Sequence, residues 1–333
     1  MRKDEEVLIV GDLEGESVTI GRAFFDETLA MGGKPVLALQ EVDTQYTDGE
    51  RLVLDAIRAE PDVLITVSSG YSGNDPHGYH IGYLCKDNQI YDHALFRATD
   101  GDRRTRGLVA EGASIDMLCR CVDIDYEELA RTAALLMKAL TGRKLVLVTS
   151  PAGTDVTFSI EGRIPDAEDG HFRHPGAWGD LPCGEVRISP ANGSANGKIV
   201  FDGTVTIDDT TAVPESPVVV TVEDGFAIAI EGGSEAAGML ETIKAAERMA
   251  REKGLENFAV NVRNLGEFAF GINPKAIVTG NLLEDEKQQG TVHFALGYNY
   301  DNDANAFIHM DCVVLKPSVW VDEKQIMRDG ELL

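Results

Sequence analysis

The sequence is short of cysteine, of positive charge and of long apolar runs. Five cysteines, Cys85, Cys119, Cys121, Cys183 and Cys312, are spread over 333 residues with no C-x-x-C spacing. The number is odd and only Cys119 and Cys121 lie close together. Neither a disulfide framework nor a cysteine-based zinc site is therefore expected, and buried apolar thiols are the plainer reading. No apolar stretch reaches the roughly 20 residues needed to span a bilayer, and residues 1–6 are charged with no signal-peptide core behind them. The expectation is a cytoplasmic chain. Basic residues number 30 against 56 acidic ones, for a net charge of −26. Such a field repels phosphate backbones and anionic lipid, which argues against nucleic-acid and membrane partners.

What is present divides into two textures. Up to about residue 150, short apolar strands alternate with amphipathic helices. Strands are expected at 7–10 (VLIV), 36–39 and 63–67, and helices at 17–31, closed by Gly32-Gly33, and at 50–59, ended before Pro61. The β-α-β-α-β order points to an open α/β layer with a mainly parallel sheet. Residues 70–83, rich in Gly, His and Asp, read as a loop. Leu129, Ala133, Leu136 and Leu140 recur at helical spacing over 126–140, Gly142 stops that helix, and 145–149 returns as a strand. After Pro151 come short strands at 156–160, 186–188, 199–201, 218–222 and 226–230, broken by Gly, Asn and Asp turns and interrupted by one helix at 236–253. That is the pattern of a β-rich, antiparallel α+β unit. The expected fold is α/β, with an open N-terminal α/β domain over 1–165 and a β-rich catalytic, metal-binding domain over 166–333.

Five polar segments of the second half stand out. Glu185 opens a strand after the turn Pro182-Cys183-Gly184. Glu267 is embedded in Leu265-Gly266-Glu267-Phe268-Ala269-Phe270, and burying a lone carboxylate is costly without a cation or hydrogen bonds. Asp285-Glu286-Lys287 leads into a run that would read as a buried strand but for His293. Tyr298-Asn299-Tyr300 follows, and then His309 and Asp311, which on a strand point to the same face. Each feature has an ordinary reading: a hydrogen-bonded core histidine, a rim glutamate, a chance H-x-D. Their accumulation favours a shared site. Two imidazoles and three carboxylates suit zinc, manganese, cobalt or non-haem iron rather than a thiolate centre. They exceed the needs of one tetrahedral zinc. Two ions bridged by a carboxylate would use them all, and paired ions suit activation of water against an amide or ester.

Other candidates carry less. Gly11-Asp12-Leu13-Glu14-Gly15-Glu16 follows a strand, but it matches no phosphate-loop pattern and its acids would repel phosphate, so it reads as a turn. His77, His80 and His93 form a second candidate cluster in loop-like surroundings. There is no Gly-x-Ser-x-Gly elbow.

In this order, the segments resemble the thermophilic aminopeptidase family of aminopeptidase T, aminopeptidase S and PepS. Gly153-Thr154-Asp155 with Gly162-Arg163 looks like the family's GTD…GR signature. Pro182 to Val186 looks like its P-x-GEV element, Gly266-Glu267 its GE, and 285–297 its DEK-x-x-GT-x-H-x-ALG block. The resemblance implies a dinuclear centre held by Glu185, Glu267, His293, His309 and Asp311, with two zinc, cobalt or manganese ions. Tyr300, seven residues after His293, matches the family's active-site tyrosine; Tyr300 and Glu185 are the candidate catalytic residues. It also implies a peptide substrate cut at its N-terminus and a homo-oligomer, as in the dimeric family members. Two features depart from the peptidases: a shorter N-terminal region and a compressed interval between His293 and His309. The superfamily is also similar to 2,5-dihydroxypyridine dioxygenases, in which one Fe(II) is held by two histidines and an aspartate. His293, His309 and Asp311 would supply that triad alone, for a small aromatic substrate. The presence of Glu185 and Glu267 favours the two-metal hydrolase.

Overall fold

The apolar run near the N-terminus becomes an inner strand of a parallel sheet. The computed structural model describes residues 1–333 except 43, 45, 71 and 72. The chain divides into two compact units, residues 1–122 with 170–183, and residues 123–169 with 184–333.

The first unit runs β1 (Glu6–Asp12), α1 (Gly15–Ala30), β2 (Lys34–Gln40), α2 (Arg51–Arg58) and β3 (Val63–Thr66). There follow a short helix α3 (Pro76–His80), a hairpin of β4 (Tyr83–Leu84) and β5 (Ile90–Tyr91), one turn α4 (Ala94–Phe96), β6 (Arg106–Val109) and α5 (Ile115–Cys121). The sheet has the order β2-β1-β3-β6, parallel throughout. Because successive strand residues face opposite ways, Val7 and Ile9 pack with Ile20 of α1, while Leu8 and Val10 pack with Val53 and Ile57 of α2. Where 70–83 reads as a loop in the sequence, Asp75 accepts hydrogen bonds from the His77 and Gly78 amides and starts α3. Residues 71 and 72 of that stretch lie outside the described residues.

The second unit begins with α6 (Tyr126–Leu140), whose cap Asp125 accepts from the Glu127 and Glu128 amides and whose Leu129, Ala133, Leu136 and Leu140 are buried. The strands that follow are β7 (Leu145–Thr149), β8 (Asp155–Ser159), β9 (Asp166–Glu168), β10 (Glu185–Ile188), β11 (Asn196–Phe201), β12 (Val205–Ile207) and β13 (Thr210–Ala212). Then come β14 (Val218–Glu223), β15 (Phe226–Glu231), α7 (Ser234–Glu252), α8 (Glu256–Asn261), β16 (Leu265–Gly271), α9 (Leu282–Asp285) and β17 (Thr291–Gly297). The unit ends with β18 (His309–Leu315), β19 (Ser318–Val321), β20 (Lys324–Arg328) and β21 (Glu331–Leu332). They form a seven-stranded sheet, β13-β12-β18-β17-β16-β10-β9, and an eight-stranded one, β15-β14-β11-β8-β7-β19-β20-β21. The expected α/β class, a mainly parallel layer followed by a β-rich antiparallel part, is the observed one.

A single boundary at 165/166 does not describe these units. The strand β7 pairs antiparallel with β19, Val146 opposite Val321, so α6 and β7 to β9 fold with the C-terminal half. Phenylalanines join the two large sheets. Phe158 on β8 meets Phe268 on β16 at 5.1 Å between ring centroids, and Phe268 meets Phe270 and Phe294 at 4.9 and 5.1 Å. All four rings are fully buried. Their strand neighbours, one residue on, must point to the other face of the seven-stranded sheet.

Candidate metal centre

That other face carries the polar residues. Strand alternation puts Glu185 and Arg187 of β10, Glu267 of β16, His293 of β17, and His309 and Asp311 of β18 on one side. Cross-strand register aligns them: Arg187 lies opposite Ala269 and Ala269 opposite His293, while Glu267 lies opposite Ala295 and Ala295 opposite Asp311. Small alanines thus separate the large polar groups and leave room between them. Gly184, just before Glu185, has φ +134°, and a Cβ there would come within 2.7 Å of Asn273 Cβ, so the tight entry into β10 requires glycine.

All five residues read from the sequence as a site meet in space. His293 Nε2 lies 3.4 Å from Glu185 Oε2 and 3.4 Å from Glu267 Oε1. His309 Nε2 lies 3.2 Å from Glu267 Oε2 and 3.2 Å from Asp311 Oδ2. Two sets of possible ligands result, Glu185–Glu267–His293 and Glu267–His309–Asp311, each with its atoms within 4.8 Å of one another. Glu267 belongs to both, one oxygen towards each imidazole.

The donor set fits a cation. His309 Nδ1 is 2.8 Å from the Tyr298 carbonyl, which can only accept, so Nδ1 carries the proton. In the neutral ring the Nε2 lone pair then faces two carboxylates, an arrangement that needs a proton or a metal ion between them. His293 Nδ1 and Asp311 Oδ1 are buried without a hydrogen-bond partner. Burial favours the neutral imidazole of His293, but the carboxylates around it, Glu267 first, outweigh that and push it up to about 9. The same contest holds His309 well above its usual range, through Asp311 and Glu267. Glu267 stays well below the usual carboxylate range: burial opposes ionisation, but the two imidazoles win.

Two buried cations border the cluster. Lys287, following α9, is fully buried, with Nζ 2.9 Å from Glu185 Oε2, 2.8 Å from Glu286 Oε1 and 3.6 Å from Glu168 Oε2. Arg187 reaches Glu168 Oε1 at 2.6 Å, Asp166 at 3.0 Å and Glu185 Oε1 at 3.3 Å. Burial, helped by Glu168 and Glu267, nevertheless outweighs Lys287 and His293 and pushes the Glu185 carboxyl up to about 7. The Arg187 guanidinium also lies 4.4 Å from the centre of the Tyr300 ring, which stands near His309 at 5.1 Å and Tyr298 at 5.5 Å. Tyr300 is thus brought to the His309 side of the cluster.

Comparison with known proteins bears on this centre. The model of the family 2,5-dihydroxypyridine 5,6-dioxygenase matches residues 100–333, which contain every residue of the cluster. The chain belongs to that family. The fold is similar to that of 2,5-dihydroxypyridine dioxygenase from Pseudomonas putida, at TM-score 0.70 and 17% identity over 99% of this chain and 92% of that one. It is also similar to that of AmpT, the aminopeptidase T of Thermus thermophilus, at TM-score 0.68 and 16% identity over 100% and 95%. Among curated proteins nothing matches. Family membership supports an enzyme, and the fold is one that a dioxygenase and an aminopeptidase share.

The sequence reading left four groups of the cluster unassigned. Arg187 shares its strand face with Glu185, an i, i+2 relation that was open to view. Glu286, which groups with His293 and Asp311 within 4.8 Å, and Lys287 belong to the Asp285-Glu286-Lys287 triplet, in which nothing local marks either side chain for burial. Glu168 carried no signal. The histidines 77, 80 and 93 go elsewhere: His77 packs on Tyr83, His80 on Tyr79, and His93 caps α4 and bonds the Gly73 carbonyl. No potential ligand group among the described residues includes them.

Proposed function

We propose that this enzyme is a two-metal, aminopeptidase-like hydrolase that cleaves the N-terminal bond of a peptide. The observation behind this reading is the position of Glu267, which turns one oxygen to His293 and the other to His309. A carboxylate so placed would serve two ions, one held with Glu185 and His293, the other with His309 and Asp311. Ions held there would supply Lewis acidity and a water ionisable near neutral pH. The protein's own part is positional. Tyr298 fixes the His309 tautomer, and the alanines at 269 and 295 keep the face open. Tyr300, its ring braced by Arg187, offers a hydroxyl to the oxyanion of a tetrahedral intermediate.

A second reading follows from the family match: one Fe(II) on His293, His309 and Asp311, cleaving a dihydroxylated ring with oxygen. Glu185 and Glu267 would then support the triad or move protons. Replacement of Glu267 separates the two readings. In the hydrolase, Glu267→Ala loses both ions and peptide cleavage. In the dioxygenase, one iron stays bound and oxygen uptake persists.

A further inference from the structure

Resting on the two-metal reading, we infer that the two metal positions are unequal. The Glu267–His309–Asp311 set binds its ion at least about tenfold more tightly than the Glu185–Glu267–His293 set, because Lys287 and Arg187 already engage Glu185.

The asymmetry lies in the neighbours of the two outer carboxylates. Both oxygens of Glu185 face a fixed cation, Oε2 the Lys287 ammonium at 2.9 Å and Oε1 the Arg187 guanidinium at 3.3 Å. An ion in this set must share Glu185 with them and sit a few ångströms from an ammonium group. A unit charge so close to a divalent ion costs it more than a factor of ten in affinity, even at the high effective dielectric of a protein site. Lys287 cannot swing away to relieve this: it is fully buried, and Glu286 and Glu168 hold it at 2.8 and 3.6 Å. Asp311 is differently placed. Its ion-pair contact is the His309 imidazole. An ion in this set shares Asp311 with an imidazole that is itself a ligand of the set, and not with a fixed cation. Glu267 serves both sets, so it does not alter the difference.

The role of Lys287 is therefore to neutralise part of a dense acidic cluster and to leave one ion weakly held. Such an ion can be lost by dilution or chelation while the other stays.

The test is a calorimetric and absorbance titration of Co²⁺ into chelator-treated protein. Two binding events per chain are expected, their Kd values at least tenfold apart. Glu185→Gln should abolish the weaker event and keep the tighter, Asp311→Asn the reverse. Lys287→Met should tighten the weaker event to within about threefold of the other. If Lys287→Met does not fold, the wild-type titration and Glu185→Gln decide alone. Two events of equal affinity, or loss of the tighter event in Glu185→Gln, overturn the inference and leave the two-metal reading standing. A single event at any Co²⁺ concentration overturns both.

Discussion

Replacing Tyr300 by Phe removes one oxygen atom and keeps the rest of the ring's environment. The ring lies 4.4 Å from the Arg187 guanidinium and 5.1 Å from His309, contacts that Phe can make equally well. Tyr300 is 37% exposed, so loss of the hydroxyl opens no cavity, and the folded protein should melt within a degree or two of wild type. A neutral phenol is a poor metal ligand at pH 7, and metal content should not change. What changes is the hydrogen bond to the oxyanion. Loss of one such donor costs about 10²–10³ in kcat, or about 2.7–4 kcal/mol. The assay is steady-state release of an N-terminal residue from a chromogenic aminoacyl substrate, at matched metal occupancy. A kcat within a few-fold of wild type would remove Tyr300 from the chemistry and leave it as an aromatic cover over His309.

Three further outcomes follow from the geometry. Ala295 is fully buried between Glu267 and Asp311 in cross-strand register, so Ala295→Leu should fill the ion site. Metal content should fall to near zero, with stability down by about 1–3 kcal/mol, read by elemental analysis and melting. Phe268→Ala empties the contact between the two large sheets and should cost about 3–5 kcal/mol in thermal or denaturant unfolding. For pH, the raised imidazole of His293 sets the sign. Protonated His293 stabilises the metal-free fold fully below its ordinary value of 6.5, and this contribution is lost as pH rises through about 9. The melting temperature of chelated protein should therefore drop across that window. Added metal, which binds the deprotonated ring, should lift the curve most at the alkaline end.

The residues that could be read in advance are those whose signal is local. A carboxylate or imidazole inside an apolar strand, at Glu267 or His293, is anomalous from its immediate neighbours alone. His309 and Asp311 declare a shared face through their spacing. The partners that make the site electrostatically workable were not visible in this way. Arg187 in Glu185-Val186-Arg187-Ile188 looks like any strand charge, and Lys287 like any surface lysine. Their burial depends on which strands become neighbours, and that is a long-range property. Ala269 and Ala295 gain meaning only once β16, β17 and β18 are in register. The parallel layer of the first unit could be read because β1, β2 and β3 and the helices between them follow one another in the chain. The unit boundaries could not, because β7 finds its partner β19 about 170 residues later.

The most direct test of the account is the metal content of the protein measured together with what it turns over. Protein purified without oxygen, stripped and reloaded with Co²⁺, Mn²⁺ or Zn²⁺, should bind two ions per chain and release the N-terminal residue of a peptide, and Glu267→Ala should lose both properties. One iron per chain, retained in Glu267→Ala and consuming oxygen with a dihydroxylated pyridine, would contradict the hydrolase and establish the ring-cleaving reading in its place.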